Sequence, residues 1–138
     1  MGSNGDTLKG SIGLLVLRVG MAGLLFWGHG MDKIMHLAER ARSFPDPLHV
    51  GHNVSFGLVV FAEVVCTVFV GVGLFTRWAL VPIIGFLCVA FFIYLAHDPW
   101  KVKELAMVYL VPFIGLLFTG PGKFAFDSWI RVKVDTKD

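Results

Sequence analysis

The chain has 138 residues, 56% of them hydrophobic and 16% charged, with a formal net charge of +2. That is one domain's length of chain, too apolar for an ordinary water-soluble fold and suited to a protein that crosses a lipid bilayer several times. No basic run or aromatic-basic patch is present, which argues against nucleic acid as a partner.

Residues 1–10 form a polar tail. The first span, residues 11–31, has the length of about 20 residues that a bilayer needs. It lacks a small-residue cleavage site after its apolar run and is read as a retained helix. Arg18 lies inside it. At about 100° per residue, Arg18 and His29 share one face, and Lys33 continues that stripe one turn further if the helix extends so far. A polar stripe on a membrane helix faces the bundle interior.

Residues 32–53 are the one long connection, and Pro45-Asp46-Pro47 blocks continuous helix within it. The second span, residues 54–75, carries Glu63 in an otherwise apolar run. Residues 78–95 form the third span, entered through the turn at Thr76-Arg77, so the two make an antiparallel hairpin. Arg77, in that turn, is expected to play a structural part by anchoring to lipid headgroups. Pro82 is placed in the first turn of the third span, where its missing N–H costs little. Cys66 and Cys88 fall inside spans without a CxxC and are read as small buried apolar groups. Tyr94, His97 and Asp98 close the third span.

The fourth span, residues 104–119, opens with Glu104, as the helix dipole favours, and contains Pro112, which predicts a kink. Gly120-Pro121-Gly122 is a sharp helix stop with a structural role. Residues 124–129 are expected to form an amphipathic piece at the interface, opening a polar tail over 120–138. Trp27, Trp78, Trp100 and Trp129 all fall near span ends, the place of an aromatic belt. The fold class expected is therefore all-α: an integral membrane four-helix bundle with a short amphipathic C-terminal interfacial segment.

Lys9, Arg77, Lys123, Arg131, Lys133 and Lys137 fall on one side of the membrane; Lys33, Arg40, Arg42, Lys101 and Lys103 fall on the other. This slight excess leans towards cytoplasmic termini. All five histidines share the second side, but no HExxH or Cys/His spacing marks a metal site, and solvated histidines are expected.

A charge at bilayer depth is costly unless paired, and so marks a functional or organising site. Arg18 and Glu63 are close enough in depth for long side chains to meet, so they are expected to pair, directly or through water. Such a pair either fixes helix register or forms a polar pocket for a quinone-like headgroup. In the pocket reading, Glu63 and His29 move protons. Arg18 and Lys33 hold the substrate and stabilise developing negative charge. Tyr94 and His97 complete the substrate contacts. Glycines 13, 20, 23, 71 and 73 permit close helix contacts, within the chain or in a homodimer.

The ordered set Leu17-Arg18-Val19-Gly20, His29-Gly30-Met31-Asp32-Lys33, Phe44-Pro45, Glu63, Gly71-x-Gly73-Leu74-Phe75-Thr76-Arg77 and Gly120-Pro121-Gly122-Lys123 resembles the DoxX family of small four-helix membrane proteins. The resemblance spans about residues 12–129. It implies a four-helix bundle with cytoplasmic termini in a prokaryotic cytoplasmic membrane. It also implies redox work, since members are described as subunits of membrane-associated oxidoreductase complexes. The similar DoxD proteins belong to a thiosulfate:quinone oxidoreductase, and other relatives act as assembly chaperones. The chain carries no flavin or haem motif, so electrons would come from a soluble or membrane redox partner or from a bound cofactor such as quinone.

Overall fold

The computed structural model describes residues 4–135, with side chains over residues 7–134. Lys137, counted above for orientation, lies outside the described residues. The helices are α1 (Thr7–Met35), the short α2 (Leu37–Ser43), α3 (His52–Val72), α4 (Thr76–Tyr94), α5 (Trp100–Thr119) and α6 (Phe126–Asp135). Of these, α1, α3, α4 and α5 are long and apolar enough to cross a membrane. No strand occurs among the described residues.

The four long helices form a ring: α1 packs on α3 and α5, and α4 packs on the same two. Leu25, Val70, Leu80, Ile83, Phe113 and Leu116 fill the centre. The outer surface is also apolar, with Val16, Leu24, Leu58, Val81 and Phe118 exposed. A surface of this kind suits acyl chains, because lipid is as apolar as the side chains it covers.

Several boundaries differ from the sequence reading. Helix α1 runs on to Met35, so Lys33 belongs to the span. The long connection is mostly helical, through Met35 and again over α2, leaving His36 and residues 44–51 outside helix. Residues 31–43 hold no Gly or Pro, and Met, Leu, Ala, Glu and Arg are strong helix formers. Helix α4 opens at Thr76, which places Pro82 inside the helix rather than in its first turn. There its ring removes the usual donor to the Trp78 carbonyl. Helix α5 continues as α-helix from Trp100 through Pro112 to Thr119.

Departures from α-helical winding lie in the other three long helices. Residues 26–30, 61–66 and 90–94 are π-helical, one segment each in α1, α3 and α4. Such widened turns are rare and concentrate at functional sites, because they re-aim the side chains they carry. Here they carry His29, Glu63 and Tyr94.

One end of the bundle is locked by the C-terminal segment. Gly120 and Gly122 take positive φ values, 82° and 80°, and turn the chain back after α5. The backbone N–H of Asp127 then donates to the Gly73 carbonyl at 2.8 Å. Its carboxylate accepts from the N–H groups of Phe75 at 2.7 Å and Thr76 at 2.9 Å, capping the start of α4. Phe75 itself sits at φ 47°, a conformation that a non-glycine residue adopts at a cost. Two hydrogen bonds from one carboxylate offset that cost.

Candidate functional site

The direct partner of Glu63 is Lys33, not Arg18. Lys33 Nζ donates to Glu63 Oε2 at 2.5 Å, and to the His29 carbonyl at 3.4 Å. Both side chains are largely enclosed, at 4% exposure for Glu63 and 15% for Lys33. Arg18 is also buried, but it serves the locked end of the bundle. Its Nη2 donates to the Phe124 carbonyl at 3.1 Å. Its guanidinium lies against Gly73, and Asp127 is the acid that acts on it electrostatically. The end of α3 also presents backbone carbonyls there, a favourable place for a cation. The sequence reading paired Glu63 with Arg18 on depth alone; the extension of α1 to Met35 brings Lys33 to Glu63 instead.

Close approach of α1 and α3 makes the Lys33–Glu63 pair possible. A Cβ on Gly30 would stand 2.9 Å from the Glu63 backbone oxygen and 3.2 Å from Val64. Only glycine fits without pushing the helices apart. Beside the pair, the His29 ring meets Tyr109 edge-on, with centroids 5.8 Å apart. His29 and Tyr109 both interact electrostatically with Glu63.

The ion pair forms the polar end of a cleft of about 610 Å³. Helices α3 and α4 supply most of the walls, including Leu58, Val59, Phe61, Phe86, Val89 and Tyr94. Pro82 and Gly85 leave room at the α4 side, and Phe44, Pro45, Pro47 and Leu48 bring the loop over it. Leu58, Phe61 and Tyr94 are exposed on the outer surface, so the cleft opens on the side that faces lipid. A second, polar notch of about 170 Å³ is lined by Asp32, Lys33, Arg40, Ser43, Phe44 and Pro45.

Asp46 pins the loop whose first residues, Phe44 and Pro45, line both cavities. Its carboxylate accepts from the Ser55 hydroxyl at 2.7 Å, the Gly51 N–H at 2.7 Å and the Val50 N–H at 3.0 Å. Phe44 packs edge-on against Phe56, and His52 Nδ1 lies 2.6 Å from the Phe44 carbonyl. The Ser55 hydroxyl above all, with the two N–H groups and His52, holds the Asp46 carboxyl below its ordinary value of 3.8. A lowered folded value means that the carboxylate stabilises the loop fully above the ordinary value and stops doing so as pH falls through the lowered one. The protection of the Val50 and Gly51 amides, taken relative to their free-peptide exchange rates at each pH, is therefore expected to fall as the pH drops below 3.8. Asp46→Ala is expected to show the lowered protection already at neutral pH. Equal exchange in the variant and the parent at neutral pH would show that Asp46 does not hold the loop.

The structure brings together Glu63, Lys33 and Tyr94 at the cleft, with His29 beside the ion pair. Arg18 is elsewhere, and exposed His97 lines neither cavity. Arg77 lies along Gly120, so it and Gly120-Pro121-Gly122 belong to the locked end. His29 is no loop histidine, since it sits within α1 against Tyr109. His36 pairs with Asp32. Among the described residues no group of three His, Cys, Asp or Glu side chains is placed to hold a metal ion.

Sequence reasoning missed Tyr109, although a hydroxyl at mid-span is the same kind of signal that singled out Glu63. It also missed Asp46 and Asp127. Their roles depend on contacts with a folded loop and with a turn some fifty residues away, and neither leaves a local pattern. Comparison with curated proteins and with solved structures gives no match. The DoxX family model matches residues 13–97, well over half of the chain and the stretch that carries α1, α3, α4 and the loop over the cleft, and the chain belongs to the DoxX family.

Proposed function

We propose that the cleft binds a quinone or a similar small redox amphiphile, as part of a membrane oxidoreductase system. The observation that carries this reading is the combination of an enclosed ion pair with an apolar cleft that opens on the lipid-facing surface. A polar ring with a hydrocarbon tail matches both ends. Its oxygens would reach the Lys33 ammonium and the Glu63 carboxylate, and its tail would leave past Leu58 and Phe61 into lipid. Lys33 is placed to stabilise negative charge on a reduced ring oxygen. Glu63, with His29 and Tyr109 beside it, is placed to take or give a proton. Tyr94 offers its ring as a wall for a planar headgroup. Electrons would come from a partner protein or a second cofactor, because the chain holds no carrier motif.

Binding of a short-chain benzoquinone to the protein in lipid nanodiscs tests this. A Cβ on Gly85 meets open space in the cleft, so Gly85→Phe fills it with little strain on the fold. The variant is expected to bind the quinone roughly tenfold or more weakly. Failure of the parent protein to bind, or equal binding by both, would refute the reading.

A second reading is a docking or assembly module for another membrane protein. Gly13, Gly20 and Gly23 favour it, since all three are exposed along α1 and a Cβ on any of them would meet open space. Small outward residues let a neighbouring helix, including a second copy's, approach closely. Isolation from native membranes with a stoichiometric partner, and no quinone binding, would support that reading over the first.

A further inference from the structure

The apolar cleft and the polar notch are separate spaces with three wall residues in common: Lys33, Phe44 and Pro45. Of these, only Lys33 carries a labile proton. Glu63 lines the cleft alone, whereas Asp32, Arg40 and Ser43 line the notch alone. A ligand that gains or loses a proton in the cleft lies against hydrocarbon, so water does not reach it from the lipid side. The shortest polar connection from ligand to water runs through the ion pair.

We propose that Lys33 is the port through which a molecule bound in the cleft exchanges protons with water, with Glu63 on the ligand side and the notch on the water side. This deepens the reading of the cleft as an amphiphile site and rests on it. The Lys33 ammonium has three N–H bonds. One goes to Glu63 and one to the His29 carbonyl, and the third meets no acceptor among the described residues. The other notch cation is already engaged, because Arg40 Nη2 stands 2.7 Å from Asp32 Oδ2. His36 adds its Nδ1 at 3.3 Å from the same carboxylate. A guanidinium such as Arg40 does not give up its proton, and Lys33 is the notch group with a titratable proton that also reaches the cleft. On the inner side, Glu63 from α3 faces it directly, His29 and Tyr109 flank Glu63, and α4 contributes Tyr94.

The transfer balances in two steps. The ligand O–H gives its proton to the Glu63 carboxylate. Lys33 then releases one proton to water in the notch and takes the Glu63 proton in exchange. The ion pair is restored, one proton has left the ligand and one has entered water. Uptake runs the same steps in reverse, and no electron moves.

An alkyl nitrophenol serves as the probe, since its ring enters the cleft as an amphiphile and its phenolate absorbs in the visible. The full chain in nanodiscs is loaded with the probe and mixed rapidly into buffer of different pH. The parent protein is expected to let the bound phenol follow the jump rapidly. Ser43→Phe fills the notch from an exposed position and leaves the ion pair intact. In that variant, and in Lys33→Gln, the exchange rate is expected to fall roughly tenfold or more. In Ser43→Phe the probe's affinity is expected to stay unchanged. A normal rate in Ser43→Phe with normal affinity overturns the port and leaves the cleft assignment standing. Absence of probe binding to the parent protein overturns both.

Discussion

Lys33→Met is expected to destabilise the protein by about 3–5 kcal/mol, and Lys33→Met combined with Glu63→Leu to recover most of that loss. The asymmetry follows from desolvation. Removing the ammonium leaves a carboxylate in an enclosed, largely apolar site, and that isolated charge must be protonated or hydrated at a cost. Removing both charges leaves two apolar side chains of similar bulk, which cores tolerate. The pair Asp32–Arg40 provides the control. Its side chains are about half exposed, at 46% and 53%. Solvent and salt screen such a pair, and Arg40→Gln is expected to change stability by about 1 kcal/mol or less. Equilibrium unfolding in mixed detergent micelles measures all three. A single Lys33→Met variant no less stable than the double would show that Glu63 is not held by Lys33.

Gly73→Val is expected to cost about 2–5 kcal/mol, while Gly71→Ala two residues earlier is neutral or mildly stabilising. Two separate penalties meet at Gly73. Its φ of 82° is left-handed, where an L side chain is strained. A Cβ there would also drive into the Arg18 guanidinium and stand 2.6 Å from the Ala125 Cβ. Arg18 is fully buried and the Gly73 carbonyl accepts the Asp127 N–H, so neither side can yield without opening the lock. At Gly71 the backbone is helical and a Cβ would meet Ala22 at an ordinary 3.8 Å. Replacing a helical glycine by alanine also removes conformational freedom from the unfolded chain. Thermal unfolding of the two variants in detergent compares them, and a Gly73→Val protein as stable as its parent would refute the packing described at that end.

Much of this was legible before folding, and particular residues show why. Four apolar runs of bilayer length announce four spanning helices, because hydrocarbon demands that each segment satisfy its own backbone. Glu63 stood out for the same reason, as did Lys33 at the end of the stripe begun by Arg18 and His29. The positive-φ glycines after α5 were visible as Gly120-Pro121-Gly122. The partner of Glu63 was not legible. Rise per residue matched Arg18 to Glu63 only to within about 10 Å of depth, and it says nothing of which way a long side chain turns. The length of α1 and the approach at Gly30 settled that.

The sequence by itself determined the class of molecule: an all-helical chain of four spans with isolated charges that must face inward, because solvation energy in a bilayer depends on residue type and run length alone. Only the tertiary structure decided that Arg18 secures the tail while Lys33 holds Glu63. It also decided that π-helical turns carry His29, Glu63 and Tyr94, and that a loop pinned by Asp46 lines both an apolar cleft and a polar notch. Those outcomes turn on distances of a few ångströms between segments far apart in the chain, and no local pattern of residue types encodes them.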